Sequence, residues 1–116
     1  MSNRILDIEL KTVRLDPTEA EVWVIVKAEH VSPTTEIRGR FVGPKLLEHS
    51  TIEIAYPLRP FTRKPAGLPE LAVRVVIPEP SAWKPEAPFV YDALVELWED
   101  GQCCDQRKIN GYSLSV

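Results

Sequence analysis

Hydrophobic and polar residues alternate along most of this chain with a period of two, not the 3.6 of a helix. The clearest run is Phe89 to Trp98. Phe89, Tyr91, Ala93, Val95 and Leu97 fall on one face, while Asp92 and Glu96 share the other with Val90, Leu94 and Trp98. β-Branched and aromatic residues at this spacing predict a strand with one face in a core. Glu99-Asp100-Gly101-Gln102 follows, and Asp-Gly is a strong hairpin signal because the turn needs a residue that tolerates positive φ. A last strand, Cys104 to Ser115, carries few inward charges to protect an edge.

Upstream, Ile5 to Leu15 begins with Leu6, Ile8 and Leu10 opposite Asp7, Glu9 and Lys11, then slips to Val13 and Leu15. A one-residue slip predicts a bulge or a change of sheet. Asp16-Pro17-Thr18 is a turn, with Asp capping and Pro fixing φ. Glu21 to Val31 is apolar on both faces at its start, as in a central strand. Trp23 there has Val22, Val24, Ile25 and Val26 as neighbours, which assigns it to the core and not to an exposed sugar-stacking platform. After the Ser32–Thr35 turn, Glu36 to Val42 places Ile37 and Phe41 inward. Gly39 between them marks a bulge or a close approach, and Gly43-Pro44 ends the strand. Leu46 to His49 is loop. Thr51 to Leu58 is a fourth strand with Ile52, Ile54 and Tyr56 on one side, and Leu71 to Ile77 a fifth.

Seven strands with turns every eight to twelve residues and no helix predict an all-β chain: an immunoglobulin-like or fibronectin-like β-sandwich of antiparallel strands in a Greek key, one domain over residues 1–116. The expected core includes Trp23, Val24, Val26, Ile54, Val75, Tyr91, Val95 and Leu97.

Two Pro-rich stretches interrupt the pattern. Pro78, Pro80, Pro85 and Pro88 exclude a helix and a central strand alike, so Ser81-Ala82-Trp83 is a corner whose Trp83 lids one end of the core. Pro57 to Pro69 is long for a sandwich connection, basic, and has a single aromatic, Phe61. Such loops are uncommon unless functional or disordered; the plainer alternative is a solvated connector. Charge is segregated: Glu36 to Lys64 holds six basic and three acidic residues, the remainder eight and fourteen.

The formal net charge of −3 over 116 residues argues against nucleic acid as the main partner. No apolar run approaches the roughly 18 residues of a membrane span. The opening MSNRILDIEL is too polar for a signal peptide, so a cytoplasmic location is expected. Cys103 and Cys104 are adjacent and project to opposite faces of a strand, one inward and one outward, which disfavours a bridge and suits reduced thiols. His30 and His49 have no partner at metal spacing, and neither a P-loop, a dinucleotide fingerprint nor a nucleophile elbow is present. No catalytic residue, cofactor or metal is expected, and the chain reads as a non-enzyme.

The order Ile77, Pro80, Trp83, Pro85, Glu86, Pro88, Tyr91, then an apolar strand, Gly101 and a closing Gly111-Tyr112-Ser113-Leu114 resembles the immunoglobulin-like sandwich domain of family-2 glycoside hydrolases. In those enzymes the domain lies between a jelly-roll sugar-binding domain and the catalytic barrel. The family usually closes with an Arg that enters the barrel, where Ser113 stands here. The catalytic glutamates belong to the barrel, so the resemblance implies no catalytic residue in this chain.

Three functional readings follow: a non-catalytic module for contact with a protein partner or for homodimerisation, a carbohydrate-associated accessory module as the resemblance implies, and an enzyme, for which no constellation exists. The candidate interaction residues are Arg59, Phe61, Arg63, Lys64, Trp83 and Trp98. A basic loop with one Phe suits an acidic protein surface better than a neutral sugar.

Overall fold

Val22, Val24 and Val26 on one strand, and Tyr91, Ala93, Val95 and Leu97 on another, are all buried, whereas the residues between them are not. That alternation fixes two sheets face to face. The computed structural model describes residues 3–46 and 49–115. Among the described residues the strands are β1 (Ile5–Leu15), β2 (Glu19–Ala28), β3 (Glu36–Lys45), β4 (Ile54–Pro57), β5 (Ala72–Pro78), the two-residue β6 (Trp83–Lys84) and β7 (Ala87–Pro88), β8 (Val90–Glu99) and β9 (Gln102–Tyr112). One sheet has the order β1-β2-β5 and the other β4-β3-β8-β9, every pair antiparallel, while β6 and β7 form a separate small hairpin. The seven longer strands thus build the β-sandwich that the alternation implies. The chain leaves the first sheet after β2, returns for β5 and leaves again for β8.

The core joins Ala20, Val22, Val24, Val26, Val75 and Ile77 of the first sheet to Phe41, Tyr91, Val95 and Leu97 of the second, with Leu114 beyond β9. Each fully buried side chain of this size contributes about 1.5–3 kcal/mol by leaving water. Turn chemistry sets the connections. Asp16 Oδ1 accepts from the N–H groups of Thr18 and Glu19, each at 2.9 Å. Asp100 and Gly101 have φ of 51° and 74°, the two positive values that a tight right-twisted hairpin requires. Pairing in β1 shifts at Thr12/Arg14, the point where its pattern slips. A second shift, at Ile5/Asp7, turns Ile5 inward and leaves Leu6 exposed.

Gly39 has φ 141°, and a Cβ there would overlap the Leu94 carbonyl, so the close approach expected at this position is present. Other expectations need correction. Strand β3 does not stop at Gly43-Pro44 but passes through both to Lys45, absorbing them in a register shift between Val42 and Lys45. The fourth strand is only four residues long; Ile52 is 88% exposed and Ile54 50%, so neither is core. Of Leu46 to His49, read as loop, Leu47 and Glu48 lie outside the described residues, and Leu46 and His49 form an isolated bridge. Trp23 pairs opposite Arg74, between inward Val22 and Val24, and therefore lies on the outer face of the first sheet. Cys104 is the extra residue of a bulge between the Leu97–Asp105 and Trp98–Cys103 pairs. Both thiols are free and neither enters the core.

Candidate functional site

Pro57 to Pro69 wraps onto the first sheet. Arg59 exchanges backbone hydrogen bonds with Arg74 of β5, at 2.7 and 2.9 Å, and so covers part of that sheet edge. Phe61 meets Trp23 edge to face with centroids 5.7 Å apart. The Lys64 ammonium donates to the carbonyls of Glu70 (2.7 Å) and Pro69 (3.2 Å). Glu21 ties this patch together: it accepts from the Trp23 indole N–H at 2.8 Å and pairs with Arg74 at 3.2 Å. Phe61 and Lys64 are therefore engaged within the fold, and of the four loop candidates only Arg59 and Arg63 leave their side chains uncommitted among the described residues.

Trp98 is on the outer face of the other sheet. The Arg38 guanidinium lies 4.0 Å from its ring centre, and its indole N–H donates to Glu96 at 3.3 Å. A cation over one ring face leaves less of that face for a ligand. Trp83 is in the β6–β7 hairpin and is 45% exposed, which corrects its expected role as a lid: the corner projects outward instead of folding over the core. The hairpin is held by the Ser81 N–H, which donates to the Tyr91 hydroxyl at 3.0 Å. Beneath it, Leu15, Pro17, Pro80, Ala82, Ala87 and Phe89 line an open cleft of about 440 Å³. The three candidate aromatics thus occupy three separate places, and the structure does not bring them into one surface.

One arrangement was not visible in the sequence. The register places Pro57, Arg40, Leu94 and Lys108 in a single row across β4, β3, β8 and β9, on the outer face. Arg40 is outward by alternation alone, but nothing in one sequence says that Lys108 stands level with it. Beside the row, Lys45 reaches Asp92 at 2.9 Å and Glu53 at 3.3 Å, which pushes the Lys45 pKa up. Asp92 is held below the ordinary carboxylate range. Burial opposes its ionisation, but hydrogen bonds from Lys45 and the Gly111 N–H, with the attraction of Lys45 and Lys108, outweigh it. Among the described residues no three His, Cys, Asp or Glu side chains gather as metal ligands would.

Comparison with solved structures finds the same fold in parts of much longer chains. A Lactobacillus rhamnosus β-glucuronidase superposes with TM-score 0.59 at 12% identity, over 95% of this chain and 16% of that one. A β-glycosidase from Bacteroides vulgatus gives 0.58 at 15%, over 93% and 13%. A β-glucuronidase from glycoside hydrolase family 2 gives 0.54 at 10%, over 91% and 12%. The chain therefore spans less than a fifth of the length of each. No curated protein matches. The model of the glycosyl hydrolases family 2 matches residues 3–110, and on that match the chain belongs to this family, as a sandwich portion of it.

Proposed function

We propose that this sandwich is a non-catalytic module of family-2 glycoside hydrolase type that acts by contact with another protein, its anchor being the Trp83 corner. The observation that carries this reading is a hairpin that offers two features at once: an exposed Trp83 and, against Ala82, Lys84 and Ala87 on either side of it in the hairpin, an open cleft completed by Leu15, Pro17, Pro80 and Phe89. Exposed large aromatics and apolar pockets are the anchors of protein interfaces. The occupant is an apolar side chain of the partner. Its entry would bury the cleft, while Trp83 on the same hairpin meets the partner's surface alongside.

The same site suits a neutral sugar poorly. Sugars bond carboxylates and amides as well as stacking on rings. Among the described residues the only carboxylate lining the cleft, Asp16, is already used by Arg14 at 3.0 Å and by two turn N–H groups. Titrating neutral oligosaccharides while following tryptophan fluorescence and amide shifts tests the choice. The expected result is no saturable binding below about a millimolar, the weak end of specific recognition. Saturable binding that Trp83→Ala abolishes would replace protein contact with the carbohydrate reading. Hydrolysis of aryl β-glycosides by the chain alone would remove the non-catalytic reading.

A further inference from the structure

On the outer face of the four-stranded sheet, the row Arg40–Leu94–Lys108 differs from its surroundings in one respect. Neighbouring cations on this face are neutralised: Arg38 by Glu36, and Lys45 by Asp92 and Glu53. The nearest carboxylates are engaged too, since Asp92 takes Lys45 and the Gly111 N–H, and Glu96 takes the Trp98 indole. Arg40 and Lys108 make no ion pair among the described residues. Between them, half-buried Leu94 helps line a depression of about 220 Å³ with Val42, Lys45 and Asp92.

We propose that this row docks an extended acidic segment of a protein partner, with two carboxylate side chains flanking one apolar side chain. This extends the protein-contact reading to a second surface, separate from the Trp83 corner. Strands lie about 4.8 Å apart, so the Cα atoms of Arg40 and Lys108, two strands apart, are roughly 10 Å from each other. In an extended peptide, alternate side chains share a face, and an acidic-x-apolar-x-acidic stretch spans about 13 Å. Long Arg and Lys side chains close that difference. Arg40 offers a planar fork that grips a carboxylate with two hydrogen bonds, and Lys108 a compact charge. The apolar side chain between them fills the depression over Leu94.

The chemistry disfavours other anions. The depression is smaller than the 300–1,000 Å³ or so of a typical small-molecule site, so it takes one side chain and not a whole ligand. A polyphosphate backbone needs many cations in line, and here Glu36, Glu53, Asp92 and Glu96 stand on the same face.

The test follows backbone amide shifts of the full chain during titration with a capped Glu-Ser-Leu-Ser-Glu peptide. A version with Gly for Leu and a heparin-derived hexasaccharide serve as comparisons. Saturable shifts centred on Arg40, Leu94 and Lys108 are expected. Binding should weaken at least about tenfold in the Arg40→Ala, Lys108→Ala double variant, a loss of about 1.4 kcal/mol. It should also fall at about 0.5 M salt, where exposed charges are screened, and with the Gly peptide. Both substituted residues are exposed, so an unchanged denaturation midpoint confirms that the variant is folded. Shifts centred on Arg59 and Arg63, no saturable shift, or a hexasaccharide that binds the row as tightly as the peptide would each overturn the proposal. Trp83→Ala should leave this binding intact, so failure of the row and failure of the Trp83 contact are read separately.

Discussion

At the scale of single residues, the outcome turned on which side of a strand each side chain takes. Leu97 was legible from the sequence because its strand alternates without interruption, and its side chain is fully buried. Leu97→Ala should cost about 2–4 kcal/mol in urea unfolding, through lost burial and an unfilled cavity. A parent-like midpoint would show the inward face to be wrong. The immediate neighbours of Trp23, Val22 and Val24 to Val26, are all apolar and so suggest the core, but Glu19, Glu21 and Lys27 share its face at period two and mark that face as the outer one. Val22 and Val24, at 0% exposure, took the core, and Trp23 was left to pack under Phe61. Asn3 carried no signal at all, yet it is buried. Its side-chain amide donates to the His30 carbonyl at 2.6 Å, and its oxygen accepts from the His30 and Arg4 N–H groups at 2.9 and 3.0 Å. Asn3→Ala strands these groups and should cost about 1–3 kcal/mol. The same unfolding measurement checks it, and a loss well below that range would show that water replaces the amide.

At the scale of elements, existence was easier to read than extent. The β8–β9 hairpin follows from Asp100-Gly101 alone, because its two turn positions require positive φ. The pattern overstates β4 because Ile52 and Ile54 flank Glu53 as in an edge strand, but β3 pairs only with Ile54 to Pro57. Cross-strand rows depend on register, which one chain does not display, so the Arg40–Leu94–Lys108 row has no signature in the sequence. The same face carries a pH dependence. Asp92 on β8 is held low by Lys45 and Gly111 against the opposing effect of burial. A carboxyl whose pKa is lower folded than unfolded adds stability that is fully present above its unfolded value, about 3.9. That stability is lost as pH falls through the lower folded value. The contribution of Asp92 should therefore be constant above about pH 5, begin to fall as pH passes the unfolded value of about 3.9, and disappear only below the lower folded value. Asp92→Asn should flatten that part of the acid limb when urea midpoints are followed against pH. An acid limb identical to that of the parent would show that Lys45 and Gly111 gain nothing from the charge. Asp16 is also held low, first by Arg14 and then by the Glu19 and Thr18 N–H groups, but it lies in a solvent-facing turn where screening reduces its share.

At the scale of the whole molecule, two sheets leave edges to guard, and here the last strand behaves differently from its sequence pattern. Read alone, it has few inward charges. The register instead sets Asp105 opposite Leu97 and Arg107 opposite Val95, both of which face inward. These two side chains cross the seam to β1: the Ile5 N–H donates to Asp105 at 2.8 Å, and Arg107 donates to the Ile5 carbonyl at 2.8 Å. Farther along, the Thr12 and Tyr112 hydroxyls meet at 2.7 Å. The bulges in β8–β9 pairing shift the alternation, so the inward positions of β9 cannot be counted from its own residues. Inward-pointing charges on an edge strand oppose the addition of a further strand, because a pairing chain would have to bury or displace them. Removing both in an Asp105→Ala, Arg107→Ala double variant should have two effects. The Ile5 amide loses its acceptor and should exchange with solvent faster than in the parent. The freed edges of β1 and β9 should also raise self-association, seen as a larger sedimentation coefficient than the parent's at equal high concentration. If the two proteins sediment alike while Ile5 exchange quickens, the charged pair closes the seam without restraining assembly, and the control of self-association lies elsewhere on the molecule.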